Sequence, residues 1–181
     1  MTPEIEILRA NENELQPLFE DIGFKLLEDF DWDELKKLAG GHLTERDRQD
    51  PDIMSNVEAM EKTNAMISWF GRDYDGFVGL WRGPSQTPLE MAPVVRLNTE
   101  GQYELRGPSV ANYLAVENYL ANDADADFFD WAREVLASLE LSVRESSEAV
   151  WECLKGVTAP KAVHHTFYNE GRVKRGLAPI S

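Results

Sequence analysis

The middle of the chain reads Met66-Ile67-Ser68-Trp69-Phe70-Gly71-Arg72-Asp73-Tyr74-Asp75-Gly76-Phe77-Val78-Gly79-Leu80-Trp81. The apolar runs at the two ends of this stretch are short, aromatic and β-branched, and glycines bound them, which is typical of β-strands. In the second run Phe77 and Trp81 face one way, whereas Val78 and Leu80 face the other. A strand that is apolar on both faces belongs in the interior of a sheet.

Two further runs predict a β-hairpin directly after this stretch. Residues 93–97 and 102–106 are joined by Asn98-Thr99-Glu100-Gly101, in which the glycine can adopt a left-handed conformation. The second run alternates, which predicts that Tyr103 and Leu105 point inward. The polar side chains that alternate with these two residues are predicted to point to solvent: Gln102, Glu104 and Arg106.

Helical patterns precede the strands. One predicted helix has apolar residues three and four positions apart and ends at Gly23. Its members are Leu15, Leu18, Phe19 and Ile22. Two further apolar sets are also assigned to helix, Leu26, Leu27 and Phe30 followed by Trp32, Leu35 and Leu38, and Gly40-Gly41 ends them. Asp50-Pro51 opens another helix, because a capping carboxylate precedes a proline in the first turn. Its predicted buried face is Ile53, Val57 and Met60.

Helical patterns return after the hairpin. Ser109 is predicted to cap a helix with a buried stripe at Val110, Tyr113, Leu114 and Leu120. A second is predicted from about Asp127, with Phe128, Ala132, Val135, Leu136 and Leu139 on one face. Two more are predicted over 143–154 and 162–168.

This order predicts an α+β fold, with one domain over residues 1–181. A twisted, mainly antiparallel sheet of about four to six strands covers residues 66–106. An N-terminal helical part (1–64) and C-terminal helices (109–170) flank it, and a short basic tail follows.

Charge and cysteine content bear on the partner and the compartment. The net charge is −15, of which −10 lies in residues 1–60 and −7 in residues 109–160, whereas residues 161–181 carry +3. Such a field disfavours direct nucleic-acid binding and favours a basic protein partner. The single cysteine excludes an internal disulfide, and no secretory signal or membrane span is recognised, so we expect a soluble cytoplasmic protein.

Motifs that would carry catalysis or hold a cofactor are weak. The glycine-rich stretch 71–79 has no Gly-Lys-Ser/Thr and carries two acids, so it predicts a tight turn rather than a phosphate-binding loop. His164 and His165 are adjacent and diverge on a helix, and Cys153 is predicted to be a packed core thiol. We therefore expect no cofactor, no metal and no enzymatic activity.

One acidic segment deserves comparison with a calcium loop. Asp123, Asp125, Asp127 and Glu134 match positions 1, 3, 5 and 12 of that loop. Phe128 stands where the loop requires glycine, and acids before a helix are stabilising without a metal. The segment therefore predicts a helix start, and a calcium-binding regulatory protein is kept as an alternative.

The succession of motifs in the middle of the chain resembles the SUKH superfamily, which includes fungal Smi/Knr cell-wall regulators and bacterial immunity proteins. The resemblance rests on about 50 residues: the aromatic-Gly-(acidic)-Gly turn at 70–76, the Pro-Val-Val…Glu-Gly hairpin at 93–101 and the helix start at 109–114. The family's Leu-Pro-x-x-Tyr/Phe helix and its Asn-Gly-Gly turn are not evident in residues 10–60.

The resemblance implies a sheet backed by helices, no cofactor and a protein-binding role. It suggests an immunity protein that neutralises a basic toxin, such as a nuclease, and the acidic charge is independently consistent with that. Asp73, Tyr74 and Asp75 are the predicted partner-binding residues, because a glycine-bounded turn should project them outward. The alternative is a small enzyme, which would require a pocket lined by carboxylates with shifted pKa values, whereas a binder should present an acidic face with exposed aromatics and no pocket.

Overall fold

The computed structural model describes residues 2–28, 31–36 and 43–180. The helices in this part of the chain are α1 (Pro3–Ala10), α2 (Gln16–Ile22), α3 (Asp31–Lys36), α4 (Pro51–Asn64), α5 (Val110–Ala121), α6 (Ala126–Ser138), α7 (Ser147–Cys153) and α8 (Pro160–Lys174). The strands are β1 (Lys25–Leu26), β2 (Ile67–Arg72), β3 (Gly76–Trp81), β4 (Val94–Asn98) and β5 (Tyr103–Gly107).

The strands form one antiparallel sheet in the order β1-β2-β3-β4-β5, so the predicted α+β class is confirmed. β3 occupies the centre, as its apolar faces predicted. The hairpin of β4 and β5 is also confirmed, with Leu97 opposite Tyr103 and Gly101 in a left-handed conformation. The helical assignment of Leu26 and Leu27 is wrong, because Lys25–Leu26 pairs with the end of β2 and the Leu27 amide donates to the Phe70 carbonyl oxygen.

Helices cover both faces of the sheet, and each face has its own apolar core. Val78, Leu80 and Val94 point to the first core, which α1, α2, α5, α6 and α7 complete. Phe77, Trp81 and the other alternate residues point to the second core, to which α4 and α8 contribute. Period-two alternation therefore places every β3 side chain against a helix layer, and no face of the central strand is open to water.

The α4 helix begins as predicted, with the Asp50 carboxylate accepting from the Asp52 and Ile53 amides. Its buried face was predicted only in part. Met60 is buried as predicted, but Ile53 and Val57 are only half-buried. The small residues Ser55, Ala59 and Thr63 are fully buried instead. The cause is close packing on α8, where a Cβ on Gly171 would lie 3.2 Å from Ser55.

Five predictions about the C-terminal helices need correction. Leu120 and Phe128 are exposed rather than buried, and Phe129 takes the core position in α6. Cys153 is exposed, and its helix α7 begins at Ser147 rather than at residue 143. The last helix is α8, which extends to Lys174 rather than ending at Tyr168.

Some predictions lie outside the described residues: those on Phe30, Leu38, Gly40-Gly41, His42 and the side chain of Trp32. No helix in the described ranges combines the length and the apolar character that crossing a membrane requires.

Candidate functional site

The turn between β2 and β3 carries the three predicted binding residues. The carboxylate of Asp73 points into the protein, where its Oδ1 accepts hydrogen bonds from the amides of Asp75 and Gly76, both at 2.9 Å. Its own amide donates to the Gly76 carbonyl oxygen at 2.9 Å. Asp73 is buried, so the prediction that it projects outward is wrong. A carboxylate that binds two amides of its own turn fixes the turn instead.

Arg96 lies beneath the turn and joins it to the sheet. This β4 side chain is buried, and its guanidinium contacts four carboxylates. The nitrogen–oxygen distances are 3.2 Å to Asp73, 3.0 Å to Asp75, 2.9 Å to Glu104 and 3.2 Å to Glu117. Burial alone would lower the pKa of Arg96, but the charge of Glu117, the hydrogen bond to Glu104 and the charge of Asp73 raise it further than burial lowers it. Arg96 is therefore a permanent positive centre.

Tyr113 and Glu117, both on α5, close the network from the helix side. The Tyr113 hydroxyl donates to the second oxygen of Asp73 at 2.7 Å. Burial, followed by the charge of Asp73, raises the pKa of Tyr113 well above its ordinary value, so the hydroxyl stays a donor. Glu117 accepts from Arg106 at 2.6 Å and from Arg96 at 3.2 Å. Burial raises the pKa of Glu117, an effect that the two arginine charges oppose.

Tyr74 is the exposed aromatic residue of the turn. Its side chain lies on Gly23 at the end of α2, where a Cβ would approach the ring to 2.5 Å. The Tyr74 amide donates to the Ile22 carbonyl oxygen, and the hydroxyl lies 3.3 Å from the Glu20 carbonyl oxygen. The residue is nevertheless 76% exposed. The turn therefore presents an aromatic ring to solvent from a fixed position.

Tyr74 lines three concave surfaces, and two of them border α2. A pocket of about 230 Å³ lies between the turn and the end of α5, and its lining includes Asp21, Asp75 and Leu120. A shallower groove of about 400 Å³ on the other side is bordered by Glu12, Glu20 and Lys25. The Asp75 side chain is 66% exposed, as predicted, although one oxygen contacts Arg96. Exposed carboxylates therefore lie on both sides of the ring.

A second prediction, on the polar residues of β5, is wrong as well. Glu104 and Arg106 were expected to point to solvent, but both are partly buried beneath α5 and pair with Arg96 and Glu117. The alternation in β5 is real, yet the second face of this strand meets a helix rather than water. Burial by itself raises the pKa of Glu104, but the hydrogen bond and charge of Arg96 lower it below its ordinary value.

The burial of two residues of this network could have been predicted from the sequence but was missed. Arg96 interrupts the apolar run 94–97 of a central strand, and Glu117 lies in the mainly apolar α5. A charged residue in a segment that is apolar on all sides is buried, and a buried charge needs a partner of opposite sign. Opposite charges in two adjoining apolar segments therefore predict a contact between them.

The acidic segment that resembles a calcium loop and the adjacent histidines lie outside this network. Asp125 caps α6 by accepting from the Asp127 amide at 3.0 Å, and the helix begins at Ala126, inside the span that a calcium loop would occupy. His164 packs between Tyr103 and Tyr168. Within the described ranges, no group of three or more histidine, cysteine, aspartate or glutamate residues is placed to hold a metal ion.

Comparison with known proteins yields no match for this chain. No protein-family model, no curated protein and no solved structure matches it significantly. The resemblance to the SUKH superfamily therefore stays a prediction, and the functional argument rests on the residues around the turn.

Proposed function

We propose that this chain is a cytoplasmic protein-binding module of the immunity-protein kind, which binds a basic partner through the turn at residues 73–75. The observation that carries the proposal is the exposed Tyr74 ring, held on Gly23 beside two concave surfaces whose borders carry more acidic than basic side chains. Tyrosine is enriched among the residues that dominate protein–protein affinity. A ring already fixed in place loses little conformational freedom when a partner binds it.

Charge supports a basic partner. The network around Arg96 contains four carboxylates and two arginines, so two negative charges remain after pairing. Asp21, Glu12 and Glu20 add exposed carboxylates at the borders of the adjoining surfaces. The net charge of −15 extends the same sign over the chain and accelerates encounter with a cationic protein. A basic toxin is a partner of this chemistry.

The pocket beside Tyr74 departs from the smooth face expected of a binder, and it is the one observation that favours the enzyme alternative. Glu117 lines this pocket and has a raised pKa because of its burial. Both of its oxygens accept hydrogen bonds from arginines, however, which holds the carboxylate as an ion-pair partner. The binding proposal accounts for the pocket and for the exposed ring together.

Site-specific crosslinking tests the proposal. A photoreactive phenylalanine replaces Tyr74 in the full chain, and a matched variant carries it at Met91, which is 73% exposed in the connection at the opposite end of the sheet. In cells of the source organism, we expect one discrete adduct with a basic protein from position 74 and none from position 91. Equal adducts at both positions, or none at position 74, would contradict the proposal.

Affinity for that purified partner gives the second measurement. Tyr74→Ala should weaken binding by at least about tenfold, because a central aromatic anchor dominates an interface. Met91→Ala should leave affinity unchanged. Equal effects of the two substitutions would show that the captured protein does not bind at the turn.

A further inference from the structure

The pocket between the turn and the end of α5 combines features that suit one chemical group. Tyr74 and Leu120 give it exposed apolar walls, with exposures of 76% and 41%. Asp21 and Asp75 bring carboxylates to its border. Its remaining charged lining residues are Asp73, Arg96, Arg106 and Glu117. Its volume of about 230 Å³ is below the ~300–1,000 Å³ of ordinary small-molecule sites, so the space suits a single side chain.

We propose that this pocket receives one arginine side chain of the basic partner. The inference rests on the proposed function and adds the chemical group that the partner inserts. The guanidinium would pair with the carboxylates of Asp21 and Asp75, and its methylene stem would lie along Leu120. Tyr74 would pack against the planar group.

Charge balance selects a cation despite the two arginines already present. Arg96 and Arg106 each form ion pairs with carboxylates of the network. The network has two more carboxylates than arginines. Asp21 adds a further exposed carboxylate at the border. An incoming cation therefore enters a field of net negative charge, whereas an anion would meet the excess of carboxylates.

The apolar walls of the pocket, Tyr74 and Leu120, favour the binding of arginine over lysine. A guanidinium is planar, stacks on aromatic rings and donates through several N–H groups in a fixed fork, so it can serve carboxylates and a ring at once. Its stem buries methylene groups against apolar surface while the charge reaches polar partners. An ammonium is a compact, strongly hydrated charge and makes less use of a tyrosine ring and a leucine wall.

The pocket needs little rearrangement to receive this group. The Tyr74 amide is bonded to α2, Asp73 is bonded to Tyr113 and Arg96, and Glu117 lies between the arginines. Side chains held by such contacts are already in place before binding, which reduces the entropic cost of association. The interior of the pocket and the turn that carries Tyr74 and Asp75 are thus preorganised.

Titration with a small arginine derivative tests the inference without the partner. N-acetyl-arginine N-methylamide is titrated into the full-length protein and followed by amide chemical shifts. The neutral citrulline analogue, of nearly identical shape, is the ligand control. We expect shifts centred on residues 74, 75 and 120, with the citrulline analogue binding at least about tenfold more weakly because it has no charge.

Matched variants sharpen the result. Asp21→Asn and Tyr74→Leu should each weaken binding by about three- to fivefold, since each removes one partner of the guanidinium. Glu61→Gln removes an exposed carboxylate on α4, across the sheet, and should change nothing. Equal binding of the citrulline analogue, or equal effects of Asp21→Asn and Glu61→Gln, would overturn the pocket assignment. A specific adduct at position 74 together with that result would retain the binding function and reject only the arginine site.

Discussion

Asp73 concentrates more contacts than any neighbouring residue of the turn. Its carboxylate accepts from two turn amides, the Tyr113 hydroxyl and Arg96. An exposed turn carboxylate would contribute little to stability. A buried carboxylate in an ion-pair network behaves differently, because its replacement by an amide removes an acceptor that buried donors, Arg96 and the Tyr113 hydroxyl, require.

Asp73→Asn should therefore destabilise the protein by about 3–5 kcal/mol, because the asparagine NH₂ group would face the Arg96 guanidinium, another donor. Asp75→Asn is the matched control, since the Asp75 side chain is 66% exposed and its loss should cost about 1 kcal/mol or less. Urea unfolding at neutral pH measures both free energies. Similar losses for the two variants would contradict the structural role of Asp73.

Gly23 has two properties that can be separated by experiment. It ends α2 with φ of +62°, and its Cα supports the ring of Tyr74. Gly176 follows α8 with φ of +79° and has open space around the position of a Cβ. The two glycines thus share a left-handed backbone conformation, but only Gly23 contacts another side chain.

Alanine at either glycine should cost about 1 kcal/mol of unfolding free energy, because left-handed backbone disfavours a side chain. Only Gly23→Ala should also displace the Tyr74 ring, with a further loss of stability and shifted ring resonances in NMR spectra. If Gly23→Ala and Gly176→Ala give the same loss and leave those resonances unchanged, then the ring does not depend on this glycine.

At the scale of elements, α4 and α8 are joined by a contact between small residues, Ser55 and Gly171, and by ion pairs. The carboxylate of Glu58 lies 3.0 Å from both Lys62 and Arg175, and 3.6 Å from Lys174. The hydrogen bond from Lys62, followed by that from Arg175, lowers the pKa of Glu58 to about 2. The basic end of α8 is thereby bound to acidic α4.

This pKa predicts how stability changes with pH. Because the pKa of Glu58 is lower in the folded state than its ordinary value of 4.5, its contribution is complete above about pH 4.5 and is lost as pH falls toward 2. Glu58→Gln should be less stable than the wild type at pH 7, and the difference should shrink steadily below pH 4.5. Urea unfolding from pH 7 to pH 3 measures it. Glu61→Gln, which removes an exposed acid of the same helix, is the matched control, and an equal loss of stability in the two variants at pH 7 would contradict the role of the Glu58 ion pairs.

The strands were predictable because their signals are local. Glycine-bounded apolar runs located β2 and β3, and the alternation around Gly101 located the hairpin of β4 and β5. The two-residue β1 has no pattern of its own and depends on pairing with Arg72 and Gly71. The buried face of α4 was predicted only at Met60, because close helix packing selects small residues, whereas the sequence pattern considered was the spacing of large apolar ones.

At the scale of the molecule, the sheet has helices on both faces, and this arrangement decides which polar residues are buried. The alternation in β5 predicted that one face of this strand is exposed to solvent, so Glu104 and Arg106 were expected to be exposed. The candidate site was therefore predicted only in part. Tyr74 and Asp75 are exposed as expected, whereas the charged network beneath them joins residues from β4, β5 and α5 that lie far apart in sequence.

The whole-molecule charge leads to a last prediction, on association with the partner captured at position 74. Asp73 is unsuitable for charge reversal because it is buried, so Asp75→Lys is the informative change. At low salt this variant should associate about tenfold more slowly, because it reverses a charge beside the contact ring. Near 1 M salt the difference should largely vanish, since the screening length falls to about 3 Å.

Glu61→Lys makes the same change in net charge on α4, across the sheet from the pocket. If steering depends on where the charge lies, this control should slow association far less than Asp75→Lys at every salt concentration. Stopped-flow mixing at several salt concentrations measures both rates. Equal slowing by the two variants would mean that net charge alone attracts the partner, and the turn would then have no special part in the encounter.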